Sequence, residues 1–590
     1  MPKADLVLLH APSVYDFRKE SILYGPVSDL VPSTTVFEMY PIGLTTIAEY
    51  LERHGFRVRI VNLALRMLRD PRFDAEKCIR RLNPRAFGID LHWLPHAHGA
   101  LEVARIVKEV HPHTPLMIGG FSATYFHEEI IARPEVDYVV RGDSTEEPVL
   151  QLMRHICGDG RGRVRPALAD IPNLTWKDAT GRVHANPITY VPDSLDHVLL
   201  DYSYVVKAVV RYRDLIGFVP FHEWLRYPIT AALSCRGCMN DCRTCGGSAT
   251  AFRRVFNRQR PAFRSPEALA HDIRNIGRFS RGPVFVLGDI RRAGSDYAER
   301  FLKAVQGINE QLIFELSSPA SRDFLRKMGH AAPRFTLEMS PESHDEGIRA
   351  AFGRHYGNQA LEETIAYALE SGCRRFDVFF MIGLPGQTYQ SVLDTVAYCD
   401  YLMERFNRDG DARVFPFISP LAPFLDPGSR VFEEPEKYGY RLFCRTLEEH
   451  RRALVQPSWK YVLNYETRWM SRDEIVASTY EAGLRFNHIK VKYGLIDPQV
   501  AEATERRIHQ AVRLSRQIDD LMGIADEGRR AKLLAALKPQ VDSANISTVC
   551  DKRELELPVG LLRLNLLRAA VVALGGLLGV EPSRRFEAPS

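Results

Sequence analysis

The sequence predicts an α/β protein with two regions of alternating strands and helices and a third region that is mainly helical. Its 590 residues are too many for a single hydrophobic core. Short apolar segments alternate with helical patterns over two separate stretches, and helical patterns dominate afterwards. We expect a doubly wound Rossmann-like domain over 1–165, a bridging segment of unassigned structure over 166–225, a partial TIM-like βα barrel over 226–430 and a mainly helical domain over 431–590.

The first region predicts a parallel sheet with a ligand site at one edge. Apolar strand patterns alternate with helical ones, and short buried strands separated by helices indicate parallel pairing. Ligands of such folds lie at the carboxyl ends of the strands. No Gly-x-Gly-x-x-Gly follows the first strand, which counts against a nicotinamide or flavin site. The predicted strands are 6–9, 58–61, 87–90, 116–118 and 138–140.

The second region repeats a βα unit, and barrels of such units place their chemistry at the carboxyl ends of the strands. A segment with four prolines, 416–430, follows and predicts an extended loop. The predicted strands are 229–233, 285–287, 312–316, 335–339 and 375–382.

The composition narrows the classes of function. Hydrophobic residues make up 45% and charged residues 26% of the chain, as in ordinary globular proteins. The net charge of +5 is spread thinly, so nucleic acid is not an expected partner. No signal peptide and no apolar run of about 18 residues is present, so we expect a cytoplasmic protein without a transmembrane segment.

Three cysteines carry the strongest chemical signal. Cys238, Cys242 and Cys245 have the spacing Cys-x3-Cys-x2-Cys, which lets one loop offer three thiolates to an iron–sulfur cluster. A fourth thiolate would complete the cluster, so three leave one iron open to a small molecule. A zinc site using Cys235 as a fourth ligand is an alternative, but only three residues separate the two pairs where zinc modules usually have a dozen or more. We interpret Cys235 as a buried thiol, with a redox role as the alternative.

The cysteine loop and the strand ends around it resemble the radical SAM superfamily. In that family the open iron binds the amino and carboxylate groups of S-adenosylmethionine, and an electron from a [4Fe–4S] cluster cleaves it to a 5′-deoxyadenosyl radical. The resemblance implies that the cluster ligands are Cys238, Cys242 and Cys245. It also implies S-adenosylmethionine contacts at Gly246, Gly247, Ser248, Gly288, Asp289, Glu338, Arg354, Gly383 and Pro385.

Some of these positions have a purely structural explanation as the alternative to a ligand contact. By resemblance, Gly288-Asp289 binds the methionine amino group and Glu338 reaches the ribose, but Glu338 could equally be a solvated strand-end carboxylate. Arg354 matches a basic residue of the family, with a surface helix cation as the alternative. The chain departs from the family at Thr244, where an aromatic residue is usual, and at Gln387, which replaces a glutamate.

The first region resembles the cobalamin-binding domain that precedes many radical SAM domains. The motifs are Pro-x-Gly-Leu, Gly-Gly-x-x-Ala-Thr and a Val-x-Gly segment, in the family's order. Asp90-Leu91-His92 begins like the family's Asp-x-His-x-x-Gly motif, but Pro95 occupies the motif's closing glycine position. We therefore expect His92 and Trp93 to flank the corrin ring without binding cobalt, with an axial His92 as the alternative. The implied cobalamin contacts are Pro41, Leu44, His92, Trp93, Gly119, Gly120, Phe121 and Gly142.

The last region adds two uncertain features. An aromatic cluster at 459–469 predicts helical core or a wall of the substrate cavity. An apolar helix over 556–580 predicts core packing or a dimer contact, with membrane-surface contact as the alternative. We also expect 90–93 and 119–124 to face the cluster loop at 238–248 across one shared cavity that the C-terminal helices cap.

Together these features predict a cobalamin-dependent radical SAM enzyme. By resemblance, the most common outcome is methylation of an unactivated carbon, here in a small-molecule or lipid substrate of unknown identity. The family also implies an external electron donor such as flavodoxin or ferredoxin. Two alternatives stay open: a lipid-modifying or cyclising enzyme without methyl transfer, and a non-catalytic cobalamin or iron–sulfur sensor.

Overall fold

The structure is a computed structural model that describes residues 3–158, 165–408, 410–420, 424–545 and 549–577. Predictions for 421–423 and 578–580 lie outside the described residues. The described chain has an N-terminal α/β domain, a parallel barrel-like sheet and a helical C-terminal region, as the sequence predicts.

The N-terminal domain contains a seven-stranded sheet in the order β2-β1-β3-β4-β5-β6-β7. The first five strands are parallel, and β6 and β7 add to the edge in antiparallel fashion. Every residue of β1 is buried, because helices cover both faces of a parallel sheet. The strands are β1 (Leu6–His10), β2 (Val58–Asn62), β3 (Ala86–Asp90), β4 (Leu116–Gly119), β5 (Tyr138–Val140), β6 (Leu174–Lys177) and β7 (Val183–Ala185).

The order of the strands confirms the doubly wound topology. Strand β1 has β2 on one side and β3 on the other, so the chain changes direction between β1 and β3, where such sheets bind ligands. The segment left unassigned by the sequence supplies β6, β7 and a helix. The helices are α1 (Ile42–Arg53), α2 (Leu63–Arg69), α3 (Ala75–Arg80), α4 (Ala97–Val110), α5 (Phe121–Tyr125), α6 (His127–Ile131), α7 (Glu146–Cys157) and α8 (Tyr202–Tyr212).

The central region is a six-stranded, fully parallel sheet in the order β15-β14-β13-β12-β11-β8, with β9 and β10 forming a small separate ribbon. This is the partial barrel that the sequence predicts. The strands are β8 (Thr230–Leu233), β9 (Cys235–Arg236), β10 (Ala262–Phe263), β11 (Val284–Leu287), β12 (Leu312–Leu316), β13 (Phe335–Glu342), β14 (Phe376–Ile382) and β15 (Val414–Pro420). The helices are α9 (Ala249–Phe256), α10 (Pro266–Gly277), α11 (Ser295–Ala304), α12 (Arg322–Ala331), α13 (Glu346–Phe352), α14 (Asn358–Glu370) and α15 (Tyr389–Phe406).

Strand β15 corrects one prediction. The proline-rich segment was expected to be a loop, but 416–420 pairs in register with β14. Proline has no N–H to donate to a neighbouring strand, so it is tolerated at the edge of a sheet, where one side of the strand has no neighbour. Strand β15 lies at such an edge. Proline content therefore predicted the wrong structure here.

The C-terminal region is mainly helical, with one short antiparallel hairpin of β16 and β17. The elements are α16 (Arg430–Glu433), β16 (Tyr440–Leu442), α17 (Leu447–Ala453), α18 (Trp459–Val462), β17 (Tyr465–Thr467), α19 (Arg472–Lys492), α20 (Pro498–Met522), α21 (Glu527–Ala536), α22 (Lys538–Ala544) and α23 (Leu566–Leu577).

The segment before α23 ties the two ends of the chain together. The Tyr24 backbone amide donates to Asn545 Oδ1 at 2.9 Å, and Lys552 Nζ donates to the Ser28 carbonyl at 2.9 Å. The same segment closes the amino end of the barrel, where Arg375 Nη2 donates to the Glu554 carbonyl at 2.6 Å. One stretch of chain therefore contacts both α/β regions.

The apolar helix near the C-terminus differs from its prediction. Helix α23 begins only at Leu566, and Leu561 and Leu562 precede it in an exposed position. Core packing is thus wrong for most of these leucines. Among the described residues, no helix combines the length and hydropathy needed to cross a bilayer.

Candidate active site

The cluster loop lies between β9 and α9, at the carboxyl side of β8. Cys238, Cys242 and Cys245 are free thiols on this one loop. The backbone amides of Asn240 and Gly247 each lie 3.3 Å from a thiol sulfur, those of Cys238 and Cys245 respectively. Amide donors stabilise the thiolate form that iron binds. The three thiols therefore suit a cluster, although among the described residues no three His, Cys, Asp or Glu side chains are arranged to hold a single metal ion.

The residues after the third cysteine hold the loop in place. The Gly246 amide donates to Asp426 Oδ2 at 2.9 Å, and a Cβ on Gly246 would lie 2.7 Å from the Cβ of Asp426. Ser248 Oγ accepts from the Ala251 amide at 3.3 Å and so caps α9. The hydroxyl of Ser248 is thus used by the helix, and its contact with S-adenosylmethionine stays a prediction.

The end of β11 uses its carboxylate within the protein. Asp289 Oδ2 pairs with Arg291 at 2.6 Å and accepts from the Ser317 amide at 3.0 Å. Burial opposes the charge of Asp289, but these donors outweigh it and lower the pKa of its carboxyl. The neighbouring Gly288 amide donates to Glu315 Oε2 at 3.1 Å. Asp289 is therefore an anchored anion beside the cluster loop.

A row of carboxylates crosses the inside of the barrel. Glu315, Glu338 and Asp377 occupy paired positions on β12, β13 and β14. Burial, and to a smaller extent the negative charges of Asp377 and Glu315, raise the pKa of Glu338 to about 8. Arg375 pairs with Asp377 at 2.6 Å. Glu338 is partly buried, and both its contact with ribose and the alternative of a solvated strand-end group stay predictions.

Glu342 is the feature that sequence reasoning missed. It ends β13 with a φ of 72°, after a register shift that begins at Met339. Its Oε2 is buried without a hydrogen-bond partner, and burial raises its pKa to about 7. Arg354 Nη2 lies 3.4 Å from its Oε1. Strained backbone and orphaned polar atoms concentrate at functional sites.

Arg354 is a buried residue, so the surface-cation alternative is wrong. Its side chain is 12% exposed, and Nη1 donates to the Ser317 carbonyl at 2.9 Å. Burial raises the pKa of the nearby Cys242 thiol to about 11, although the positive charge of Arg354 lowers it. The pair of Glu342 and Arg354 therefore adjoins the cluster loop.

The loop after β14 explains the glutamine that departs from the family pattern. Gln387 Oε1 accepts from the amides of Gly383 and Leu384, at 2.8 and 3.1 Å, and Nε2 donates to the Met381 carbonyl at 3.0 Å. A glutamate carboxylate has no donor for that carbonyl. Pro385 is buried within the same loop. Gln387 therefore fixes the loop that carries the predicted Gly383 and Pro385 contacts.

The N-terminal edge places histidines at the switch between β1 and β3. His10 Nδ1 lies 2.9 Å from Asp90 Oδ1, and His96 Nε2 lies 2.9 Å from the Phe37 carbonyl. The ring of His92 contacts Phe121 at 4.7 Å between centroids and has no hydrogen-bond partner among the described residues. Burial lowers the pKa of His92 to about 4, so its imidazole is neutral at neutral pH.

Residues around His92 give this edge the character of a ligand site. Trp93 is 40% exposed, which is unusual for so large an apolar ring. Pro41 leads into α1, and Leu44 of that helix is buried. An unpartnered neutral imidazole beside an exposed indole fits a large planar ligand such as a corrin. That His92 flanks the ring without binding cobalt stays a prediction, with an axial His92 as the alternative.

The glycines of this edge have neighbours in the protein itself. Gly120 has a φ of +125°, and a Cβ there would lie 2.6 Å from the His92 amide nitrogen. A Cβ on Gly119 would lie 3.3 Å from the Val140 carbonyl, and one on Gly142 would lie 2.9 Å from Asn173 Nδ2. Close chain packing thus accounts for these glycines, and glycine alone is not evidence for a flat ligand here.

Buried ion pairs join the two edges. Arg236 of β9, two residues before Cys238, donates to Glu146 of α7 at 2.9 and 2.5 Å. Arg258 pairs with Asp143, which follows Gly142. Although burial opposes its charge, Arg236 lowers the pKa of Glu146 to about 2. Nothing in the sequence analysis indicated these pairs.

Aromatic packing completes the contact between the edges. Phe121 packs against Phe252 and Phe256 of α9, with centroids 5.7 and 4.6 Å apart. The Gly119-Gly120 edge therefore faces the barrel rather than solvent, as the shared-site prediction requires.

A small cavity of about 30 Å³ lies beside the switch point. Ser13, Phe37 and Pro95 line it from the N-terminal domain, and Trp459 and Val462 line it from α18. The C-terminal region thus closes this small cavity, and the buried Trp459 of the aromatic cluster forms part of its wall. No residue of the cluster loop is among those lining this cavity, so it is not the single shared cavity that the sequence predicts. That C-terminal helices cap a cavity shared with the cluster loop stays a prediction.

Comparison with known proteins identifies the N-terminal domain and the barrel. Residues 29–150 match the model of the B12 binding domain, and residues 233–399 match that of the radical SAM superfamily. The fold and these matches define a protein that combines the two domains. The chain therefore contains a B12 binding domain and a radical SAM domain, and these domains imply a [4Fe–4S] cluster, S-adenosylmethionine and cobalamin as cofactors.

Two curated proteins and one solved structure are similar to the chain. Cytidylyl-2-hydroxyethylphosphonate methyltransferase of Streptomyces wedmorensis is 26% identical over 191 residues, 29% of this chain and 34% of that protein. Hopanoid C-3 methylase of Methylococcus capsulatus is 21% identical over 294 residues, 49% of this chain and 50% of that protein. The chain therefore spans a third to a half of these relatives. The radical S-adenosylmethionine methyltransferase TsrM of Kitasatospora setae has the same fold, with a TM-score of 0.55 and 15% identity over 84% of this chain and 90% of that one.

Proposed function

We propose that the chain is a cobalamin-dependent radical SAM methyltransferase that methylates an unactivated carbon of a small-molecule or lipid substrate. One observation carries the proposal: the carboxyl edge of the B12 binding domain is docked on the cluster-bearing edge of the barrel by buried ion pairs. Placing reacting groups within a few ångströms is worth several orders of magnitude in rate. Both curated relatives are named as methylating enzymes, which supports the same outcome.

The cofactors supply the difficult chemistry and the protein orients them. When bound, the cluster and S-adenosylmethionine supply a radical that removes hydrogen, and cobalamin supplies a methyl group. Cys238, Cys242 and Cys245 would hold the cluster. Arg354 and Glu342 offer a cation and a carboxyl beside that loop, which suits the carboxylate and ammonium of an amino acid.

The interior of the barrel would receive the substrate. Phe379 and Phe417 stack with centroids 5.2 Å apart and an angle of 16°. They lie on β14 and β15; β14 also carries Asp377, and the neighbouring β13 carries Glu338. An apolar wall beside carboxylates suits a substrate with both apolar and polar parts. The electron would come from an external donor such as flavodoxin or ferredoxin in a reducing cytoplasm.

Reconstitution tests the proposal directly. Purified anaerobically and supplied with iron, sulfide, cobalamin and a reductant, the chain should convert S-adenosylmethionine into both 5′-deoxyadenosine and S-adenosylhomocysteine. The first product reports reductive cleavage and the second reports methyl donation. 5′-Deoxyadenosine alone would favour an enzyme without methyl transfer, and neither product would favour a sensor.

Cysteine variants provide the matched control. Replacing Cys238, Cys242 and Cys245 by alanine should abolish the cluster absorbance and both products. Cys235→Ala should leave about four irons per chain, because Cys235 lies in β9 and outside the three-cysteine spacing. Equal loss from Cys235→Ala would indicate a four-thiolate site without room for S-adenosylmethionine.

A further inference from the structure

Six large apolar side chains form an exposed surface near the C-terminus, called here the leucine face. Val572, on the other side of α23, is 4% exposed, and that helix packs on α8. Positions 566, 567, 571 and 574 fall on one side of a helix. The exposed fractions are 96% for Leu561, 71% for Leu562, 72% for Leu566, 77% for Leu567, 53% for Val571 and 59% for Leu574.

Basic side chains border the leucine face. Residues 557–577 contain no aspartate or glutamate and two arginines, Arg563 and Arg568. The adjoining segment after α10 adds the exposed Arg278 and Arg281. It is held in place because the Arg281 amide donates to the Arg563 carbonyl at 2.9 Å. An apolar face is therefore bordered by four arginines.

We propose that the leucine face docks on the surface of an anionic lipid bilayer. A helix that combines an exposed apolar side with bordering arginines lies in the plane of a membrane, with its apolar side in the acyl boundary and its cations at the headgroups. A soluble surface rarely keeps so many contiguous large apolar side chains exposed. The absence of carboxylates from 557–577 removes the repulsion that anionic headgroups would otherwise meet.

The same charges disfavour a second copy as the occupant. A two-fold contact brings the same surface of both chains together. Arg563 and Arg568 of each chain would then meet the leucine face of the other, and 557–577 offers no acidic partner to either of them. Like charges at a desolvated contact destabilise it.

The position of the leucine face indicates attachment rather than substrate entry. Leu564 pairs with Ser280, and the Thr230 amide at the start of β8 donates to the Pro283 carbonyl at 3.1 Å just before β11. The face therefore lies at the amino ends of barrel strands, whereas the cluster loop follows their carboxyl ends. Membrane contact here goes beyond the proposed reaction and does not depend on it.

Vesicle flotation with the full-length chain tests the proposal. The chain should float with vesicles of phosphatidylcholine and phosphatidylglycerol at 7:3 and bind pure phosphatidylcholine more weakly, and added salt should reduce binding. The double variant Leu566→Glu/Leu567→Glu should lower vesicle affinity by at least about tenfold, because two apolar side chains lose their burial. Leu533→Glu, at an exposed leucine of α21, is the matched control and should bind as the parent does.

A second pair of variants examines the charges. Arg278→Glu/Arg281→Glu should lower binding to the anionic vesicles and leave binding to phosphatidylcholine unchanged. All variants should keep the parent's melting temperature and its yield of 5′-deoxyadenosine, since the leucine face is remote from the cluster loop. The vesicle measurement requires no cofactor, so its outcome is independent of the proposed reaction.

Two results would overturn the proposal. One is a full-length chain that stays unbound at high concentrations of anionic vesicles. The other is a dimer in analytical ultracentrifugation that Leu566→Glu/Leu567→Glu dissociates while vesicles still do not bind, which would assign the leucine face to a second copy.

Discussion

The carboxylates of the domain interface and those inside the barrel differ in their partners. At the interface, Glu146 has two hydrogen bonds from Arg236, and its pKa falls to about 2. In the barrel, Glu338 has acidic neighbours, and its pKa rises to about 8. Glu342 has one long contact to Arg354 and a pKa of about 7.

This difference separates carboxylates that hold the domains together from carboxylates that can respond to a bound ligand. A paired, fully hydrogen-bonded carboxylate keeps one charge state and fixes two domains against each other. A carboxylate with a pKa near neutrality costs folding energy and can change its charge when a cation enters the site. The interface pairs therefore position the site, and the barrel carboxylates respond to what binds there.

Breaking an interface pair should have the largest effect. Glu146→Leu leaves Arg236 buried without its counter-charge, which typically costs about 3–5 kcal/mol. Denaturant unfolding should show this loss, and Glu146→Leu/Arg236→Met should recover much of it because both charges are then gone.

A surface pair supplies the comparison for that experiment. Arg300 and Glu267 are about half exposed, and Glu267→Leu should cost less than about 1 kcal/mol. If Glu146→Leu were no more costly than Glu267→Leu, the interface pair would not hold the domains together.

Removing the cation inside the barrel should weaken S-adenosylmethionine binding. Arg354→Met takes away the charged donor beside Glu342, and a lost charged hydrogen bond is worth about 1.5–3 kcal/mol, or about tenfold to a hundredfold in affinity. Calorimetry on the cluster-loaded chain measures this. Arg322→Met, at a side chain that is 70% exposed, is the control. An unchanged affinity in Arg354→Met would remove Arg354 from the binding site.

The smallest expected effect concerns pH. Because folding raises the pKa of Glu338 from its usual value to about 8, the folded state binds more protons than the unfolded state between those values. Stability should therefore be complete at low pH and fall as pH rises through 8. Glu338→Gln stays neutral, so its melting temperature should exceed the parent's more at pH 8 than at pH 5. A constant difference would mean that Glu338 is already ionised.

The sequence predicted the parallel strands well for a physical reason. Strands covered on both faces appear as continuous apolar runs, so β1 to β5 begin and end within one or two residues of their predicted positions. The loop cysteines were equally legible because their spacing is local. Strand β15 was missed because its prolines signal a loop, and only its place at the sheet edge allows them.

The partners of buried charges could not be predicted. Arg236 and Glu146 are 90 positions apart, and a sequence does not reveal which distant charges meet. The strain at Glu342 arises from a register shift between strands, which depends on the assembled sheet. A surface cation remained an alternative for Arg354 because its burial depends on the segment after β12 as well as on its own.

The contacts of residues 545–554 have a consequence for the order of folding. Tyr24 and Ser28 meet their partners about 520 positions later in the chain, and the amino end of the barrel meets Glu554. Contacts this remote form late, because the intervening chain must first be ordered. During synthesis, the loop after β1 and the amino end of the barrel therefore wait for residues 545–554. The cobalamin-binding edge, which the loop after β1 adjoins, should reach its final shape only after those residues have been made, so we expect cobalamin loading to follow their synthesis.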